Sequence, residues 1–178
     1  MLQLFGFERV GIALADLYFV DAAPLPGQHG AERGVRLELR VLERQALEGS
    51  EYSAQPVRIG RPIWRVDLLE SVGAPGSFDR THYHPRFEGW EPGAGVCDAD
   101  LSGDPFGWLA ARLSVLEELL EQGGMTAEVA GPLDALALAR ATPDIVAAAR
   151  GVLGQVRAGE LARPPAVEPT VTTRLGWL

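Results

Sequence analysis

The hydrophobic period of this chain changes near residue 105, and that change limits the fold more than any single residue does. Before it, Val35, Leu37, Leu39 and Val41 alternate with Arg36, Glu38 and Arg40. A period of two puts the first set on a buried face and the second on a polar one, as in a half-buried strand. Residues 8–21 predict another strand, and residues 22–34 a loop punctuated by prolines and glycines. Residues 56–70 predict one strand or a pair, with Pro62 marking an edge or a break. After residue 105 the period is helical. Asp104 is an N-cap with Pro105 at the first helical position, and Phe106, Leu109, Leu113, Leu116 and Leu120 follow at spacings of three and four until Gly123-Gly124 ends the run. A second helical stretch covers 132–140 and restarts at Thr142-Pro143, carrying Ile145, Val146, Ala149, Val152, Leu153 and Val156 on one stripe. The last residues, ARPPAVEPTVTTRLGWL, have no helical pattern and read as an extended arm. The expected fold is α+β: an antiparallel sheet or partial barrel in residues 1–100, two helices, then the arm. We read one domain over 1–178, with a β-rich part (1–104), a helical part (105–160) and a Pro-rich arm (161–178).

Composition removes whole chemistries. The 178 residues include no lysine and no asparagine, so all 16 basic side chains are arginine. A Walker A loop, a Schiff-base or pyridoxal-phosphate enzyme and an N-glycan therefore cannot be built. No G-x-G-x-x-G occurs, and no nucleotide cofactor is expected. A net charge of -8, with scattered arginines, argues against nucleic-acid partners, whose phosphates demand a basic surface. No stretch has the roughly 18 apolar residues of a membrane helix. The first twenty residues carry Glu8 and Asp16 inside their apolar run and lack the basic start and cleavage site of a signal peptide, so they read as core strands. Cys97 is the single cysteine, which excludes an internal disulfide and Cys-rich metal sites. A reducing, cytoplasmic location is the expectation.

The candidate chemistry lies between the two halves. His82 and His84 are two apart, so on a strand both imidazoles share a face with Arg80. If the turn at Gly73–Gly76 closes a hairpin centred between Ala74 and Pro75, antiparallel pairing sets Asp67 opposite His82 and Arg65 opposite His84. Arg65, Asp67, Arg80, His82 and His84 then form one polar patch, suited to a divalent ion, to an anion held by arginines, or to both. Glu88, Glu91, Asp98 and Asp100 follow closely enough to add a carboxylate. Trp90, with Phe87 and Phe106, either lines a ligand pocket or covers the open end of the sheet.

Gly76, His82, His84, Glu88 and Gly95, flanked by Pro75 and Pro85, resemble the first metal-binding motif of the cupins, small β-barrel proteins that often hold one metal ion. The resemblance covers about twenty residues and implies His82, His84 and Glu88 as metal ligands. The second cupin motif needs a further histidine downstream, and none follows His84. His29, in PLPGQHG, lies upstream and would serve only a permuted barrel.

Each motif also has a plainer reading. Arg-x-His-x-His suits a solvated strand face, and the D-x-D-x-S-G of Asp98–Gly103 suits a turn better than a calcium loop, because Leu109 stands where a calcium loop closes with glutamate. Two classes of function follow. One is a mononuclear centre for iron, manganese, zinc or nickel on His82, His84 and a carboxylate, with Arg65 or Arg80 orienting a small anionic ligand. The other is a non-enzymatic subunit that docks on a second copy or another protein through residues 161–178, with Trp177 as an aromatic anchor. The residues name no reaction.

Overall fold

The computed structural model describes residues 1–24, 26, 29–47, 49 and 54–164. Five strands follow one another as an antiparallel meander: β1 (Leu2–Gly6), β2 (Val10–Val20), β3 (Ala31–Arg44), β4 (Val57–Ser71) and β5 (His82–His84). A small separate hairpin, β6 (Phe87–Glu88) with β7 (Glu91–Pro92), follows. The helices come last: α1 (Ala99–Gly103), α2 (Pro105–Leu113), α3 (Leu116–Gln122), a short 3-10 turn at Ala127–Val129, and α4 (Asp134–Arg157). The α+β class read from the change of period is the class observed.

The alternation in the sequence sorts the sheet into two faces. Leu14, Leu37 and Val66 form one cross-strand row, and Ile12, Leu39 and Trp64 the next. All six are fully buried, in one cluster with Leu109, Leu113, Leu116, Leu138, Ile145 and Val152 of the helices. This face is the core. The opposite face carries Ala13, Glu38, Arg65 and His84 in one row and Ala15, Arg36, Asp67 and His82 in the next. Removal of that much apolar side chain from water on one face, at about 25 cal/mol per Å², fixes which rows point outward, because a one-residue slip would exchange the faces.

Several boundaries differ from the sequence reading. The strand predicted over 8–21 is β2, and a further strand, β1, precedes it across a turn at Phe7–Arg9, where the carboxylate of Asp134 accepts the backbone N–H groups of Glu8 at 2.6 Å and Arg9 at 3.1 Å. The predicted loop of 22–34 is shorter, since β3 begins at Ala31. Pro62 does not end its strand; it pairs with Arg40 at a bulge, where a missing N–H is tolerated. The helix expected from 105 to Gly123 is broken at Ser114-Val115 into α2 and α3, although its leucine stripe is buried throughout. Conversely, α4 runs 24 residues straight through Pro143. The Thr142 hydroxyl donates to the Leu138 carbonyl at 2.9 Å, so the turn before the proline keeps a bond of its own.

The N-cap at Asp104 is as expected, accepting Gly107 N–H at 3.0 Å. Asp98, from the calcium-like pattern, caps α1 by accepting Asp100 N–H at 2.8 Å, and its other oxygen accepts Trp108 Nε1–H at 3.1 Å. No helix among the described residues is long and apolar enough to cross a membrane. Of the arm, residues 165–178 lie outside the described residues, while Ala162 donates its N–H to Asp16 at 2.7 Å.

Candidate metal centre

The hairpin register anticipated from the turn is the one observed: His82 lies opposite Asp67, and His84 opposite Arg65. Pairing is extended toward the turn by Arg80 N–H to the Leu69 carbonyl. The Thr81 hydroxyl bridges both backbone groups of Leu69, at 3.1 and 2.9 Å. These contacts place two imidazoles and one carboxylate on the outer face of adjacent strands.

Asp67, His82 and His84 each offer a ligand atom, all within 4.8 Å of one another. The Asp67 Oδ2 lies 3.6 Å from His82 Nε2 and 4.0 Å from His84 Nε2. Donors each about 2.1 Å from a tetrahedral zinc ion stand roughly 3.4 Å apart, so the separations from Asp67 are close to those of a three-ligand site. Asp67 is 1% exposed and His84 8%, whereas His82 retains solvent on one side.

The tautomers follow from the partners. His82 Nδ1 lies 2.9 Å from the Arg80 carbonyl and His84 Nδ1 2.7 Å from the Gly93 carbonyl. A carbonyl can only accept, so both Nδ1 atoms carry hydrogen, and in the neutral rings both Nε2 atoms present lone pairs. Metal-ligating histidines are usually held in this way, anchored through one nitrogen with the other turned toward the ion; here the Nε2 of His84 is itself engaged by Arg65. Burial favours the neutral ring of His84 and lowers its pKa; the Gly93 carbonyl opposes that shift, and the nearby guanidinium of Arg65 adds to it.

Two arginines hold the carboxylate. Arg36 grips Asp67 with two parallel bonds, Nε to Oδ1 at 2.8 Å and Nη2 to Oδ2 at 3.1 Å. Arg65 Nε stands 3.1 Å from Asp67 Oδ2, and its Nη2 donates to His84 Nε2 at 2.8 Å. The Arg65 guanidinium therefore touches both the carboxylate oxygen and the imidazole nitrogen that face the centre. Burial lowers the Arg65 pKa, with Asp67 opposing, while for Arg36 the bonds to Asp67 outweigh burial and raise it.

The chain after β5 closes over this face. Phe87 packs under Arg65, with the guanidinium 5.9 Å from the ring centre, and Trp90, 62% exposed, stacks on Arg40 at 5.5 Å. A Cβ at Gly95 would stand 3.2 Å from His82 Cδ2 and 3.4 Å from His84 Cε1. The absence of a side chain there leaves the rings room. His82 opens onto a cavity of about 280 Å³ lined also by Asp21, Glu32, Asp79, Arg80 and Cys97. Its carboxylates give a cation a favourable approach.

Of the residues singled out from sequence, Arg65, Asp67, His82 and His84 are brought together. Arg80 lies on the same face but turns toward Glu32, at 3.6 Å, and Asp79, at 3.5 Å. Glu88 is exposed in β6 and is not in the converging group; Asp67 is the carboxylate there. Trp90 lines a second groove, of about 340 Å³, with Ala13, Ala15, Arg36 and Ile59. Arg36 was missed as a site residue. Its outward direction is legible from the β3 alternation, but its meeting with Asp67 depends on the bulge at Pro62. Cys97 is exposed. No protein-family model, no curated protein and no solved structure matches this chain.

Proposed function

We propose that this protein binds one divalent transition-metal ion through Asp67, His82 and His84. The carrying observation is that two imidazoles, each anchored by Nδ1 on a backbone carbonyl, aim Nε2 lone pairs toward one oxygen of a buried carboxylate. Two histidines and a carboxylate that leave coordination positions open suit zinc, iron, manganese or nickel. The cupin-like segment Gly76–Gly95 points to the same two histidines. In this reading Asp67, from the neighbouring strand, takes the place that the resemblance gives to Glu88.

The test is elemental analysis of the purified full chain after exposure to each ion and removal of excess, beside a His82→Ala, His84→Ala double variant. The expected result is a near-stoichiometric ion that the double variant loses. No retained ion, with no thermal shift on adding zinc, manganese, iron or nickel, would overturn the proposal.

A further inference from the structure

We infer that the metal-loaded centre also binds a small carboxylate, held jointly by the ion and by Arg65; this rests on the metal reading above. The argument is one of positions and charge. Arg65 already occupies two of the ligand atoms that an ion would need, its Nη2 on His84 Nε2 at 2.8 Å and its Nε 3.1 Å from Asp67 Oδ2. An arginine donates only, so neither atom can remain in those contacts once the same lone pairs turn to a metal. The guanidinium must give way, yet its strand position, opposite Glu38 and His84 in the ladder, keeps it beside the centre.

The displaced guanidinium needs a new acceptor. Glu38, across the ladder, is already engaged by Arg40, whose Nε and Nη2 both lie 2.7 Å from Glu38 Oε2. Asp67 remains gripped by Arg36. A divalent ion added to one carboxylate flanked by two guanidiniums leaves excess positive charge in a largely buried place, which is costly unless an anion enters with it. A carboxylate suits both partners, since one oxygen can complete an open coordination position and the pair matches the planar fork of a guanidinium. Site and ligand are thus coupled, and each strengthens binding of the other by the same factor.

The experiment titrates cobalt(II) into the full chain, with acetate or with chloride at equal ionic strength, and follows the cobalt absorption spectrum. Acetate is expected to tighten cobalt binding at least about fivefold and to change the spectrum. In Arg65→Gln, cobalt should bind more tightly in chloride, because its resident competitor is gone, and acetate should lose most of its effect. Equal cobalt affinity in acetate and chloride for the natural chain would overturn the inference, as would an acetate effect undiminished in Arg65→Gln. Cobalt binding in chloride that His82→Ala, His84→Ala abolishes would leave the metal reading standing under either of those results. Failure of the natural chain and of Arg65→Gln to bind cobalt under any condition would overturn both.

Discussion

Arg36 and Asp67 form a two-pronged ion pair across β3 and β4 because the register between those strands shifts on the way to them. At the open end Arg44 pairs with Val57, and continuing that register would set Arg36 opposite Arg65. The irregularities around Arg40 and Pro62 slide the ladder so that Arg36 meets Asp67 instead. A like-charge juxtaposition is thereby replaced by an attractive one, and a buried carboxylate acquires a partner.

Removing that carboxylate should be costly. Asp67→Ala leaves the guanidiniums of Arg36 and Arg65 facing each other, and we expect a loss of about 3 kcal/mol, the lower end for breaking a buried pair, because Arg36 keeps some access to water. Arg36→Ala should cost less, as Arg65 still faces the carboxylate. Urea denaturation of both variants gives the comparison; equal losses would show that Arg65 does not compensate.

Acid should weaken the fold through His84. Its pKa is lowered by burial, so the unfolded chain takes up the proton first, near the ordinary histidine value of about 6.5. Stability is therefore full above that value. It falls as pH drops toward the lowered folded-state pKa, below which this contribution stops changing. His84→Gln should flatten the stability-pH curve just below about pH 6.5, measured by urea midpoints. An unchanged slope would contradict the assignment.

Gly95→Ala tests how tightly the imidazoles are framed. The added methyl would press on His82 Cδ2 and His84 Cε1, so the rings must turn or the segment around Gly95 must lift. Metal affinity should drop by about tenfold, the scale on which supporting contacts around ligands act. Calorimetric titration with zinc measures it. Affinity equal to that of the natural chain would mean the rings adjust freely.

Gly34→Ala examines the sheet itself. A Cβ there would fall on the carbonyl oxygen of Leu68 in the adjacent strand, a backbone atom that cannot swing aside. The expected cost is about 3 kcal/mol, at the upper end for forcing atoms into a packed place, read as a lowered thermal midpoint.

What could be read from the residues alone depended on how local the determinants were. Alternation along Val35–Val41 and the turn at Gly73–Gly76 sufficed for the core face and for the Asp67–His82 pairing, since both are set within a short span. The meeting of Arg36 with Asp67 was hidden because it crosses a connection and two irregularities whose effect on register no periodicity reveals. Glu88 drew attention through spacing in the chain, whereas Asp67 reaches the histidines through the ladder. The continuity of α4 across Pro143 and the break at Ser114-Val115 both run against local propensity. In each case the buried stripe was legible while the path of the backbone was decided by packing on the sheet.

The carboxylate of Asp134, which accepts the amides of Glu8, Arg9 and Gly131, ties the first turn of the chain to the start of its last helix. Those two turn amides owe their protection to a residue more than a hundred positions away. They become reporters: in native-state hydrogen exchange, Glu8 and Arg9 should exchange at the rate at which the start of α4 detaches from the sheet, not at the rate at which a surface hairpin frays.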